Sequence, residues 1–281
     1  MQPGFSTNSI GDVDPLAAVP VLRRLGYTSL AITLDRHTLD PFVPDLPARI
    51  DRWREALAAA GMRCVVETGA RHLLDPLVKH EPTFVSAAAE ARGRRGEFIR
   101  RAIDVAVDLG AGCVSLWSGV VRDSAGGETV WGRLVGGLGP LLEYATARDM
   151  PLGFEPEPGM FIDTLARYGE LARRLGSPDI LRLTVDLGHL ECMGERPAAD
   201  MLAPWCERLV NVHIDDMFAC RHEHLPLGAG DVGFEPLFAA LAAAGYIGGL
   251  HVELPRQAHR WFETARESAD FLRSLLPERF A

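Results

Sequence analysis

Lysine is almost missing from this chain: Lys79 is the single lysine among 29 basic residues. A Schiff-base mechanism would therefore depend on Lys79 alone, which sits in the polar run "LVKHEP". No apolar stretch approaches the ~20 residues of a membrane span. The opening "MQPGFSTNSIGDVDP" has neither the basic start nor the apolar middle of a signal peptide, so a cytoplasmic protein without a membrane partner is expected. The five cysteines, Cys64, Cys113, Cys192, Cys206 and Cys220, are odd in number and form no C-x-x-C pair. Buried free thiols are expected rather than a disulfide framework or zinc knuckle. G-x-x-x-x-G-K-[ST] does not occur, and "GAGDVG" at 228–233, although it has the G-x-G-x-x-G spacing, is read as a turn after His224 rather than a phosphate cradle, so no nucleotide cofactor is implied. Positive charge is short too. A formal net charge of −9 argues against a nucleic-acid partner, which needs a concentrated basic surface, and favours a small molecule.

What is present is a regular alternation. The 281 residues, 47% hydrophobic and 24% charged, suit a single α/β barrel. Short apolar runs read as strands at 3–7, 29–34, 63–67, 113–117, 152–155, 181–186, 209–214 and 249–254. Amphipathic segments read as helices at 15–25, 47–60, 93–109, 130–148, 164–175, 198–208, 236–244 and 259–275. Gly26, Gly61, Gly110, Gly176 and Gly245 punctuate helix ends, as a left-handed cap prefers. Eight βα units without a linker predict one (β/α)8 TIM barrel domain over 1–281. Long loops follow strand three (69–92) and strand seven (215–233), on the face where barrel enzymes build their sites. Their Arg71, His72, Lys79, His80 and Arg221 are either solvated or turned toward a ligand.

The chemistry concentrates at strand ends. Glu155, Asp186, His213 and Glu253 close the runs "LGFE", "LRLTVD", "LVNVH" and "GGLHVE". Three carboxylates and an imidazole converging there would hold one divalent cation, Mn²⁺ ahead of Mg²⁺, with Co²⁺ and Zn²⁺ as alternatives. The strand period of two then turns His251, Asn211 and Thr184 inward one layer below, either to support the ligands or to fill the barrel.

The ordered set "FEPEPG", "VDLGH", "NVHIDD", "HLPLGAGDVGF" and "GYIGGLHVEL" resembles the xylose isomerase-like TIM barrel superfamily of sugar phosphate isomerases and epimerases, inosose dehydratase and AP endonuclease family 2, which includes endonuclease IV. The resemblance implies that Glu155, Asp186, His213 and Glu253 are the metal ligands. It implies proton transfer through a metal-stabilised enediolate, with Glu155 and Glu253 as the acid/base pair; Glu157, beyond Pro156, is the rival of Glu155. His189 and Arg221 match substrate-contacting positions, and His224 and His72 join them as candidates. Against the nuclease branch, Glu67 and Trp117 stand where two histidine ligands would be. A zinc phosphodiesterase is accordingly disfavoured, although His189, His222 and His224 leave a second metal open. Glu67 and Trp117 are read instead as a hydroxyl acceptor and an aromatic wall for the substrate. The expected activity is a divalent-metal-dependent isomerase or epimerase of a carbonyl sugar, the alternative a dehydratase or lyase on a keto-sugar or keto-inositol. A homo-oligomer is compatible with the sequence.

Overall fold

The strands of the barrel are buried on both faces, as runs such as "SLAIT" and "LRLTVD" require when helices cover the outside. In the computed structural model, which describes residues 1–280, β1 (Gln2–Ser6), β2 (Ser29–Thr33), β3 (Arg63–Glu67), β4 (Val114–Leu116), β5 (Leu152–Phe154), β6 (Leu181–Asp186) and β7 (Leu209–Ile214) run in parallel. A short antiparallel hairpin, β8 (Asp216–Phe218) and β9 (Arg221–Leu225), follows, and β10 (Gly249–Val252) then closes the barrel between β7 and β1. Ala281, the last residue of the expected 1–281 domain, lies outside the described residues.

The covering helices are α1 (Pro15–Leu25), α2 (Leu46–Ala60), α3 (Ala89–Leu109), α4 (Gly127–Thr146), α5 (Leu165–Arg174), α6 (Leu187–Met193), α7 (Ala198–Leu202), α8 (Phe234–Ala243) and α9 (Trp261–Leu275). The main apolar core lies between helices and strands, where Phe5, Leu30, Val66, Phe154, Leu183 and Val252 have almost no solvent contact. Inside the barrel a smaller apolar group, Ala31, Val65 and Cys113, fills the space below the polar tips. Among the described residues no helix is long and apolar enough to cross a membrane, and all five cysteines are free.

Four local expectations are corrected. Helix α3 starts at Ala89, so the loop after β3 is shorter than 69–92. The expected helix 198–208 is α7 followed by a 3-10 segment, Ala203–Arg208, because Pro204 removes a backbone donor at the junction. Helix α9 likewise starts at Trp261, after a 3-10 turn over Pro255–Arg260. Residues 215–233, expected as a long ordered loop, contain the hairpin.

Candidate metal centre and active site

Parallel register brings the ligand candidates level: Asp186 pairs with His213, and His213 with His251. Glu155 lies just past β5, where its N–H donates to the Leu116 carbonyl at 2.8 Å. Glu253 lies just past β10, its N–H donating to Ile214 at 3.1 Å. The side chains meet around His213, whose Nδ1 is 3.1 Å from Glu155 Oε1 and 2.9 Å from Glu253 Oε2. Asp186 completes the group, one ligand atom from each of the four lying within 4.8 Å of the others.

A divalent cation fits this set. Asp186 is fully buried; its Oδ1 accepts N–H bonds from Gly188 at 2.7 Å and His189 at 3.3 Å, capping α6, while Oδ2 has no partner among the described residues. A buried carboxylate oxygen without a donor is costly unless a charge meets it. Asn8 donates from Nδ2 to Glu253 Oε1, fixing that carboxylate from the side of β1.

Electrostatics divide the two glutamates. Burial pushes the Glu155 carboxyl above the usual range, more than the adjacent His213 pulls it down. At Glu253 burial is outweighed by His213, which holds that carboxyl well below the usual range. His213 is raised: burial opposes its charge, but Glu253, Glu67 and Glu155 surround it. Without a cation, the two glutamates thus differ in how tightly they hold a proton.

Glu155, His213 and Glu253 border a cavity of about 670 Å³, within the range for small-molecule sites, while Asp186 is fully buried. Its floor takes Asn8, Thr33, Glu67, Trp117, Glu155, His213 and Glu253 from seven strand ends. Trp117 is clamped between the Arg95 guanidinium, 4.3 Å from its ring, and the edge of His80. Glu67 faces the cavity but accepts from Asn211 and lies 2.8 Å from His213 Nε2. His189 is buried beside the metal group; its Nδ1 lies 3.2 Å from the Pro156 carbonyl, and burial lowers its pKa to about 4. His222 and His224 reach the cavity from β9 and, with His189, form a second ligand-capable cluster. Glu157 adjoins it, 3.5 Å from His222 Nε2, and is raised well above the carboxylate range by burial and by the charge of Glu155.

Two expected contacts are not brought in. Arg221 is exposed and pairs with Glu223 at 2.9 Å, because alternation along β9 turns it opposite to His222 and His224. His72 faces solvent: left-handed residues at Ala70 and Arg71 turn the loop so that Arg71, Lys79 and His80 border the cavity instead. Sequence reasoning missed Asn8 and Arg256. Asn8, in a 3-10 turn over Thr7–Ser9 just past β1, and Arg256, in another over Pro255–Arg260, lie outside the strands and had no periodic signal.

Residues 19–275 match the family model described as xylose isomerase-like TIM barrel. The chain belongs to this family. It is 26% identical to L-ribulose-5-phosphate 3-epimerase UlaE of Salmonella paratyphi C over 243 residues, 85% of this chain and 83% of that one. Over 143 residues it is 27% identical to inosose dehydratase of Clostridium botulinum, 45% of this chain and 47% of the relative. The fold superposes on the IolI protein, solved with a bound zinc atom, with a TM-score of 0.78 at 15% identity, covering 100% of both chains.

Proposed function

We propose that this family member is a divalent-metal-dependent epimerase or isomerase of a carbonyl sugar. The observation that carries this reading is the pair Glu155 and Glu253 flanking the His213 imidazole at the floor of a cavity of sugar size, with the unpartnered oxygen of the buried Asp186 near them. Glu155, Asp186, His213 and Glu253 would hold the cation, Mn²⁺ being the first to test. A bound cation supplies Lewis acidity to the sugar's carbonyl and neighbouring hydroxyl oxygens. One glutamate removes the proton from the carbon between these oxygens, leaving an enediolate. The other returns a proton, to the opposite face of that carbon for epimerisation or to the adjacent carbon for isomerisation. Trp117 offers its ring as a wall for the apolar side of the sugar. Free thiols at Cys64, Cys113, Cys192 and Cys206, which are buried as expected, and at Cys220, which is exposed instead, are in keeping with a reducing, cytoplasmic setting.

Glu157 favours a second reading. Held in its acid form beside His222, it can donate a proton to a departing hydroxyl, turning the same enolate chemistry into dehydration. In heavy water, the metal-loaded protein should wash deuterium into a carbonyl sugar. Glu253→Gln should lower that exchange roughly 10²- to 10⁴-fold, as loss of an acid/base group does, while remaining folded. Release of water in place of epimer would select the dehydratase. Failure of the wild type to exchange any carbonyl sugar, or full exchange by Glu253→Gln, would refute the proton-transfer assignment.

A further inference from the structure

Glu67 lies at the tip of β3, where the substrate could reach it, yet its carboxylate is already engaged by the protein. Oε1 accepts from Asn211 Nδ2 at 2.8 Å and lies 2.8 Å from His213 Nε2. Beyond Asn211 the hydrogen bonds continue across the barrel: Asn211 Oδ1 is 2.7 Å from His251 Nδ1, and His251 Nε2 is 2.8 Å from Ser29 Oγ. Asn211 and His251 have no solvent contact, and Ser29 and His213 have 2%. Water is therefore not available to relax the donor pattern, which can be read through.

An amide oxygen only accepts, so His251 carries its proton on Nδ1 and accepts from the Ser29 hydroxyl through Nε2. That orients the Asn211 amide with its NH₂ toward Glu67. At 2.8 Å from a carboxylate oxygen, an unprotonated Nε2 on His213 would set lone pair against lone pair, so Nε2 carries a proton and donates it to Glu67; Asn211 Nδ2, 3.0 Å from Nε2, is then a second donor converging on the same Glu67 oxygen. By the same rule Nδ1, 3.1 Å from Glu155 Oε1 and 2.9 Å from Glu253 Oε2, carries a proton while no cation is bound, and that proton is the one a cation between the two glutamates would replace, leaving a neutral ring with its hydrogen on Nε2. In the opposite tautomer an N–H would point into that position.

We infer that Glu67 is a positioning residue of the metal centre, its Oε1 accepting the His213 Nε2 proton so that Nδ1 is the ligand nitrogen. The inference rests on the metal-centre reading above. Outer partners of this kind typically change metal affinity 10- to 100-fold when lost. Glu67→Gln keeps the size but replaces the charged acceptor with an amide that can equally donate to Nε2; Glu67→Leu removes both functions, and the Gln variant carries the test if Leu fails to fold.

Zn²⁺ and Mn²⁺ affinities by chelator competition, the thermal midpoint of metal-free protein and the sugar KM at saturating metal together decide the matter. The expected result is about 10- to 100-fold weaker metal binding and an unchanged KM, with the metal-free midpoint reporting separately the loss of the Glu67–His213 contact. In zinc-loaded wild type, ¹⁵N-histidine spectra should show His213 protonated at Nε2 only. Unchanged metal affinity in both variants, or a raised KM with metal affinity intact, would overturn the inference and return Glu67 to substrate binding. Wild-type protein that takes up neither metal would instead refute the underlying metal centre, an outcome visible before any variant is made.

Discussion

A histidine at the floor of a barrel needs both room and a partner, and His251 has each. Gly4 and Gly249 supply the room, since a Cβ on either would collide with the imidazole ring. Burial lowers the pKa of His251 from its ordinary 6.5 to about 3. A base depressed on folding stabilises the native state fully above ~6.5 and loses that contribution as pH falls toward the folded value, because the unfolded chain binds the extra proton. Between pH 7.5 and 5.5 this one residue should cost about 1.4 kcal/mol of stability in metal-free protein. Urea unfolding at both pH values, compared with His251→Gln, measures it: the variant should lose correspondingly less, and identical losses would exclude His251 as a source. The inward placement of His251 was legible from strand phase once Glu253 was taken as a ligand. The engagement of Glu67 was not, since its partner His213 is 146 residues away and only barrel closure joins them.

At the level of elements, the barrel strands announced themselves through apolar runs, whereas two pieces around the cavity did not. Helix α6 is seven residues long and begins directly at the strand end, with Asp186 serving both as the last residue of β6 and as the cap. So short a segment has no periodicity to read. The β8–β9 hairpin has strands of three and five residues, and "RHEHL" alternates between two polar faces instead of apolar and polar ones. Its loop is held by Asp216, which accepts from the backbone of Met217 and Val232 at 3.0 Å and of Gly228 at 2.9 Å. Bonds to a buried charged acceptor are each worth roughly 1.5–3 kcal/mol. Asp216→Ala should therefore cost about 3 kcal/mol and selectively speed hydrogen exchange over 217–232, with Asn intermediate. Uniform acceleration across the barrel would show that the residue supports the whole fold and not this hairpin.

For the molecule as a whole, the fold gathers Glu67, Glu155, Glu157, Asp186, Asp215 and Glu253 at the C-terminal end of one barrel, all but Glu157 and Glu253 under 10% exposed. In a chain already at −9, such crowding works against folding. His213 carries the compensating charge in metal-free protein, and a divalent cation would replace its Nδ1 proton while drawing the carboxylates into their anionic forms. Binding only the folded state, the metal should stabilise by about 2.7 kcal/mol at 100 times its Kd, a rise in melting midpoint of roughly 5–10 °C for a domain near this size. The sign of the pH dependence follows from the ligands. Glu155 and His213 are both raised on folding, so protons compete with the cation increasingly as pH falls. The metal-induced rise should be largest near pH 8 and shrink toward pH 5.5 at fixed metal concentration. Scanning calorimetry with and without Mn²⁺, on wild type and on Asp186→Asn, tests this directly. The Asn variant retains the oxygen that caps α6 and loses the charge offered to the metal, so it should fold without the metal-dependent rise. A rise of equal size in the variant, or one indifferent to pH, would place the cation somewhere other than these four strand ends.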